Sequence, residues 1–495
     1  MSNSNRTQVG IVEETGGLGV IPTNPVFEIL RVTGSGLAYT KTTATSKELR
    51  ADRRVTDVIT MGFEAGGDIP QEASYGACDT VLRGTLMSEW VWASVRRNTA
   101  AQTANISAVS STAITCAASA GTVDVTGAFK QYMLIACSGF AAAGNNRTVV
   151  AGSASSATSI VITSGVTDAS PQIGARVKQI GFQGPSGDLV AVAGGLGTQG
   201  LTSTTLDFTT MNLAAGMWVY VGGPTSGVAF ATAGTKGFCR ILSVAAHTLL
   251  FDVVPPNWAA DAGASKTVNV YVGDYLREGT TRRSYTIELQ YQDLAVPEFE
   301  YYSGMVPTSL ALTAQAKTVL GVKTTFMGVT AADSTTQASG ATYTAAPTND
   351  IMTGASNVGF VYEGGAPTPG ANFVLGADLT ITNNLRRNIA LGSLATVDIG
   401  VGQLLVSGEL NMYYGSNAIL TQIRNSTASG YAVQFMDNNG TQALLLDCPK
   451  IKFNDGNPTV PGIDTDRMLA ARFDAIMHPT LGYTIHAQRF EAFNV

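Results

Sequence analysis

The sequence predicts a mainly β protein: a β-sandwich or barrel unit with one short helix, used twice, and two small β-domains inserted into the first copy. Three observations lead there. Stretches of β-branched and aromatic residues with strand alternation recur along the chain, as in "RVTDVITMGFEA" (54–65), "RSYTIELQYQDL" (283–294) and "KTVLGVKTTFMGV" (317–329). Charged residues are only 13% of the 495, against about 25% in an ordinary soluble domain. Between residues 105 and 275 the composition changes abruptly, as an insertion with its own history would.

The first flanking block carries "VFEILRV" (26–32) as a strand. In "SYGACDTVLRGTLMS" (74–88), Tyr75, Cys78, Val81, Leu82 and Leu86 fall near helical spacing. The inserted block has no Glu at all, and its seven Lys and Arg are matched by seven Asp: Asp124, Asp168, Asp188, Asp207, Asp252, Asp261 and Asp274. The whole net charge of −6 therefore sits in the flanks. The insertion is itself duplicated: 132–163 parallels 217–252, each running strand, Gly/Ala loop, strand, tight turn, strand. The linker between these copies, 184–200, is Gly-rich.

After residue 276 the flanking style returns, closing with "MLAARFDAIMH" (468–478) and "YTIHAQRF" (483–490). A polar linker spans 330–350. Beyond it, "LVSGELNMYYGSNAILTQI" (405–423) resembles "GGDIPQEASYGACDTVLRG" (66–84), setting Tyr414-Gly415 over Tyr75-Gly76. Upstream of each lies an arginine-bearing arm: Lys47, Glu48, Arg50, Asp52, Arg53 and Arg54 in the first, Arg386 and Arg387 in the second. The expected organisation is 1–104 (arm and start of the first unit), 105–183 and 184–275 (inserted β-domains), 276–330 (rest of the first unit), 331–350 (linker) and 351–495 (second unit).

Little in the sequence encodes catalysis. The three histidines, His247, His478 and His486, lie in strand-like contexts, and neither H-E-x-x-H nor G-x-S-x-G occurs. Gly195, Gly197 and Gly200 satisfy G-x-G-x-x-G, but Thr-rich, strand-like sequence follows where a dinucleotide site needs a helix. Cys78, Cys116, Cys137, Cys239 and Cys448 form no C-x-x-C and read as buried apolar residues. "FMDNNGTQALLLD" (435–447) reads as a hairpin with a type I′ turn at Asn439-Gly440, and not as a calcium loop. No enzyme, metal or cofactor is expected. No apolar run approaches the ~18 residues of a membrane span, and the first residues lack the apolar core of a signal peptide, so synthesis in the cytoplasm is expected.

Two segments carry a resemblance. The run 33–90 is similar to the N-terminal signature of tail tube proteins of long-tailed, non-contractile bacteriophages. Ser46, Glu48, Leu49, Arg50, Asp52 and Arg53 match that family's arm, and Gly67, Asp68, Ile69, Tyr75, Gly76 and Trp90 match the strand, turn and helix beyond it. The ending 460–490, with "HPTLG", resembles the family's final hairpin. The resemblance covers the flanking blocks and leaves out 105–275. It implies a β-sandwich subunit that joins copies of itself into stacked rings, a conduit for viral DNA that binds none of it specifically. Its other implied partners are a tape measure protein and tail terminator or tip proteins, in the virion and with no membrane.

Six-fold rings are implied, so two units per chain would give a trimer with pseudo-six-fold symmetry. If 351–495 only completes one sandwich, six chains are needed. The mixed charges of 46–54 suit contact between identical subunits better than a phosphate backbone, which calls for basic residues alone. A β-rich surface adhesin or carbohydrate-binding protein is the alternative; it would account for the duplicated insertion but not for the arm signature.

Overall fold

The computed structural model describes residues 6–91, 93–99, 104–117, 128–153, 155–156, 158–162, 172–363, 366–367, 373–460 and 462–491. Among them, strands dominate and two α-helices occur, α1 (Asp79–Thr85) and α2 (Ala418–Asn425). Asp124 and Asp168 of the insertion lie outside the described residues.

The first unit starts with β1 (Thr7–Glu13), β2 (Val26–Ile29), β3 (Ala38–Thr45) and β4 (Val58–Glu72). β3 and β4 form a long hairpin whose connection, 46–57, is exposed from Lys47 onward. β4 pairs onward with Gly321–Gly328, which pairs with the 18-residue strand Glu298–Gln315. That strand takes Tyr285–Tyr291 on its N-terminal half, and Tyr285–Tyr291 in turn takes β1. Helix α1 buries Val81, Leu82 and Thr85. Its Gly84 is required by packing, since a Cβ there would stand 2.7 Å from the Tyr285 ring.

The second unit repeats this arrangement strand for strand. Val374–Thr382 and Leu405–Tyr413 pair as the counterparts of the segment before β3 and of β4, and Tyr414-Gly415 leads into α2 as Tyr75-Gly76 leads into α1. Leu405–Tyr413 pairs with Met468–Ala475, that strand with Ala443–Asp455, then Ala428–Met436, then Val358–Glu363. Even the short flanking strands correspond: Phe299–Ser303 pairs with Thr330–Ser334, and Ala443–Asp447 with His486–Phe490. The repeat noticed around Tyr414 thus extends over the whole unit. One apolar cluster serves both copies, running from Val9 and Ile69 to Leu410, Phe473 and Ile485.

The units join by sheet continuity. Ser309–Gln315 of the first pairs antiparallel with Gly376–Thr382 of the second. The polar stretch between them is anchored, not free: Thr342–Thr344 pairs in parallel with β2, Tyr343 stacks on Phe27 at 5.8 Å, and its hydroxyl donates to Glu288.

In the insertion, the two β-units meet edge to edge, with Gly181–Gln183 pairing Asn269–Tyr271, and a single apolar cluster runs through both. Their duplication shows in detail: Lys130 N and Ala214 N each donate to a methionine sulfur three residues on, Met133 and Met217. The strand Val95–Arg97, ahead of the compositional boundary, also belongs to this sheet. The 184–200 linker carries the strand Val190–Val192, and Gly200 opens another strand, as the Thr-rich sequence predicts. At Asn439-Gly440 a hairpin forms, but without the type I′ turn. Six residues connect the strands, only Gly440 has a positive φ (65°), and Asp437 accepts from the backbone N–H of Thr441 and Gln442.

The insertion is docked on the second unit. Leu134, Ile180, Trp218, Tyr220, Phe238 and Tyr271 pack against Tyr362, Ala432, Leu445 and Phe490. Gln488 clasps the Trp218 backbone, its Oε1 accepting from the N–H and its Nε2 donating to the carbonyl, both at 2.7 Å. Arg240 of the insertion bridges Asp252 and the fully buried Asp447 at 2.9 and 3.0 Å. Burial works against the Arg240 charge, but Asp447 and Asp252 outweigh it and raise its pKa. Lys178 pairs with Asp274 and, at 2.9 Å, with Glu491, which Arg176 also holds. Burial favours a neutral Glu491, yet Lys178 and Arg176 bring its pKa down to about 2.

Candidate assembly interface

The second predicted arm meets the strands that carry the first, and among the described residues it makes no hydrogen bond or ion pair to the charged residues 47–54 themselves. β3 and β4 project beyond the body of the first unit, and the second unit's arm, 383–404, lies along them. Phe63 N donates to Leu394 O at 2.7 Å, and Arg387 Nη2 donates to Ala65 O at 2.8 Å with its Nε 3.6 Å from Glu64. Between the two arms is an open cleft of about 940 Å³, lined by Thr42, Met61, Phe63, Ile389, Leu391 and Leu394 among others. The second arm is braced by its own two-stranded ribbon, Arg386–Asn388 with Asp398–Gly400, and by Arg282 on Asp398 at 2.6 Å.

The charged residues of the first arm are exposed, and one internal pair forms, Arg50 Nε to Asp52 Oδ1 at 2.9 Å. That contact holds the Asp52 carboxyl below its ordinary pKa. Lys47, Glu48, Arg53 and Arg54 make no ion pair among the described residues, and Arg386 donates only to the Val401 carbonyl. Four of the eight predicted charges thus stand exposed at the arm's tip with no ion-pair partner among the described residues. The sequence reading missed the apolar side of the same surface. Leu49 and Leu391 are fully exposed, and Val55, Val58, Met61 and Ile389 are mostly so. Clustered exposed apolar residues mark a contact surface. Val55, Val58 and Met61 had read as ordinary residues of the strand-like run 54–65.

The cysteines and two of the histidines are held by packing and backbone contacts. All five cysteines are buried, with Cys78 pushed up to about 12 by burial. His247 Nδ1 contacts the Leu206 carbonyl, and His478 Nδ1 accepts from the backbone of its own turn. Among the described residues no group of three or more His, Cys, Asp or Glu is placed to hold a metal, and no helix is long and apolar enough to cross a membrane.

The sequence model of the phage tail tube protein family matches this chain twice, over residues 4–246 and 246–475. The chain belongs to the phage tail tube protein family. Two matches agree with two equivalent units, and the family places this tail tube protein in the virion, in the phage tail. It is a structural family, and membership implies self-assembly into tube rings. No curated protein matches the sequence.

Proposed function

We propose that this tail tube protein forms rings of three chains, six tube units in each, that stack into the conduit through which viral DNA leaves the virion. The observation that carries this is the junction within the chain, where Ser309–Gln315 pairs with Gly376–Thr382. Two equivalent units joined by a sheet contact need only repeat that contact between chains to close a ring. Closure also removes the exposed strand edges that a lone subunit carries.

Rings stack through the paired arms. Lys47, Glu48, Arg50, Asp52, Arg53 and Arg54, with Arg386 and Arg387 alongside, offer both signs of charge to carboxylates and cations of the next ring, and the exposed leucines supply the apolar part. The insertion, 105–275, sits on the outside: it is electrically neutral, in contrast to the acidic flanks. A neutral or acidic bore passes DNA without holding its phosphates. Tape measure and tail terminator or tip proteins are the remaining partners, and no catalytic role is assigned. The native mass of an isolated ring, with averaged end views in the electron microscope, tests the reading. Three chains and a six-fold lumen are expected, and rings of six chains would refute the fused-pair assembly.

A further inference from the structure

The open edge of the first unit and the end of the long strand of the second each lack the partner that their equivalents have inside the chain. The inference drawn from this rests on the ring reading above. In the second unit, the gap between Val358–Glu363 and Val374–Ala377 receives the end of the long strand of the first unit. Ala314, Gln315 and Ala316 line it, Ala316 N donates to Leu375 O at 2.7 Å, and about 190 Å³ of open space remains. The equivalent gap in the first unit lies between Thr7–Val9 of β1 and the segment Ile29–Thr33. No strand among the described residues enters there, and about 370 Å³ stands open, with Glu72 on its wall. The strand edge beside it is also vacant: among the described residues, 33–45 bonds to β4 on one side and pairs with no strand on the other.

The complementary piece is vacant too. The long strand of the second unit, Ala443–Asp455, is paired by Ala428–Met436 only as far as Lys452. Beyond that, Phe453–Thr459 occupies the place that Ser309–Gln315 holds in the first unit, where the Gly376–Thr382 strand covers it. Here no strand among the described residues pairs with that edge, and the adjoining loop holds out Val460 and Ile463, 77% and 91% exposed. A half-built junction with a donor at one end of the chain and an acceptor at the other is what a head-to-tail closed assembly requires.

We infer that residues 453–460 of one copy enter the groove between β1 and the segment Ile29–Thr33 of a second copy and pair antiparallel with its 32–38 edge, repeating the junction inside the chain. The register follows from the repeat. Thr33 N donates to Pro70 O at 3.0 Å, five residues before Tyr75, and Asp378 pairs with Glu409, five before Tyr414. Asp378 faces Thr313, ten residues past Ser303, and Asn457 stands ten past Asp447. Thr33 of one copy therefore faces Asn457 of the next.

The test joins these positions covalently. The full chain carrying Thr33→Cys and Asn457→Cys is assembled and treated with a mild added oxidant, and chains are counted on a non-reducing gel. Facing residues of a strand pair are within disulfide reach, and the native cysteines are buried. Covalent multimers are expected from this pair and none from Thr43→Cys with Asn457→Cys, since Thr43 lies ten residues along the same edge. A second variant, Val460→Asp with Ile463→Asp, should leave a folded monomer with unchanged thermal unfolding. Rings that form but do not cross-link through Thr33, or that cross-link equally through Thr43, overturn the seat and leave the tube reading standing. Failure of the unsubstituted chain to form any ring sinks the tube reading itself.

Discussion

Removing the insertion tests how far it is an ornament. In a chain with residues 104–273 replaced by a short Gly/Ser linker, Tyr362, Leu445 and Phe490 would lose their cover of Trp218, Tyr220 and Phe238, and Ala432 and Ala443 would be uncovered with them. At roughly 1.5–3 kcal/mol for each large apolar side chain returned to water, and less for each alanine, the loss is about 6–9 kcal/mol. That is comparable with the ~5–15 kcal/mol total stability of a folded domain. Asp447 and Glu491 would also lose Arg240, Lys178 and Arg176, though water would then reach both carboxylates. The expected result is loss of soluble, assembling protein, read as soluble yield and as rings in negative stain. A milder version, Trp218→Ala, should cost about 3–5 kcal/mol in denaturant unfolding with no change in ring symmetry. If the shortened chain stays soluble and builds tubes of the same bore, the docked seam contributes nothing to the tube units, and the reasoning fails.

Three further outcomes are expected. Burial, with Arg277 donating to its Nδ1 at 3.1 Å, brings the His486 pKa down to about 3. A depressed folded pKa gives stability that is complete above the unfolded value near 6.5 and lost as pH falls toward 3; thermal midpoints between pH 6.5 and 4 should therefore decline, and His486→Gln should flatten that decline. Arg240→Met leaves Asp447 buried without its cation and should cost about 3–5 kcal/mol in urea unfolding, most of it recovered when Asp447→Leu is added. Reversing Arg50, Arg53 and Arg54 to Glu should leave thermal unfolding within about 0.5 kcal/mol of the parent, because these side chains are exposed, while tubes stop lengthening; normal tube length would remove the arm from the inter-ring contact.

Much of the architecture was legible because it is written in local pattern. Strand alternation located Tyr285–Tyr291 and Gly321–Gly328, helical spacing located the first helix, and the likeness of 405–423 to 66–84 pointed to the second. What the sequence hid is non-local. Arg387 resting on Ala65 and Glu64, or Lys178 on Glu491, joins residues hundreds of positions apart, and nothing near either partner announces the other. The docking of the insertion was hidden for a further reason: Tyr220, Phe238 and Tyr271 alternate in their strands as core residues do, so a face turned toward another unit reads like an interior. Composition set 105–275 apart from its flanks, yet in packing it is integral to the second unit. The arm's charges were visible; that Leu49 and Leu391 stand fully exposed beside them was not.

The junction of Ser309–Gln315 with Gly376–Thr382 also bears on how a tube grows. A contact within one polypeptide forms at a rate independent of protein concentration and survives any dilution. Half of the unit-to-unit seams in a three-chain ring would therefore be complete before two chains ever collide. Assembly would need two encounters and a closure where six separate units would need five encounters and a closure. A newly made chain would expose one sticky edge and one empty seat, where two unlinked units would expose two of each. The tube's parts are thus protected, during the interval before assembly, from the misplaced pairing to which solitary strands are prone.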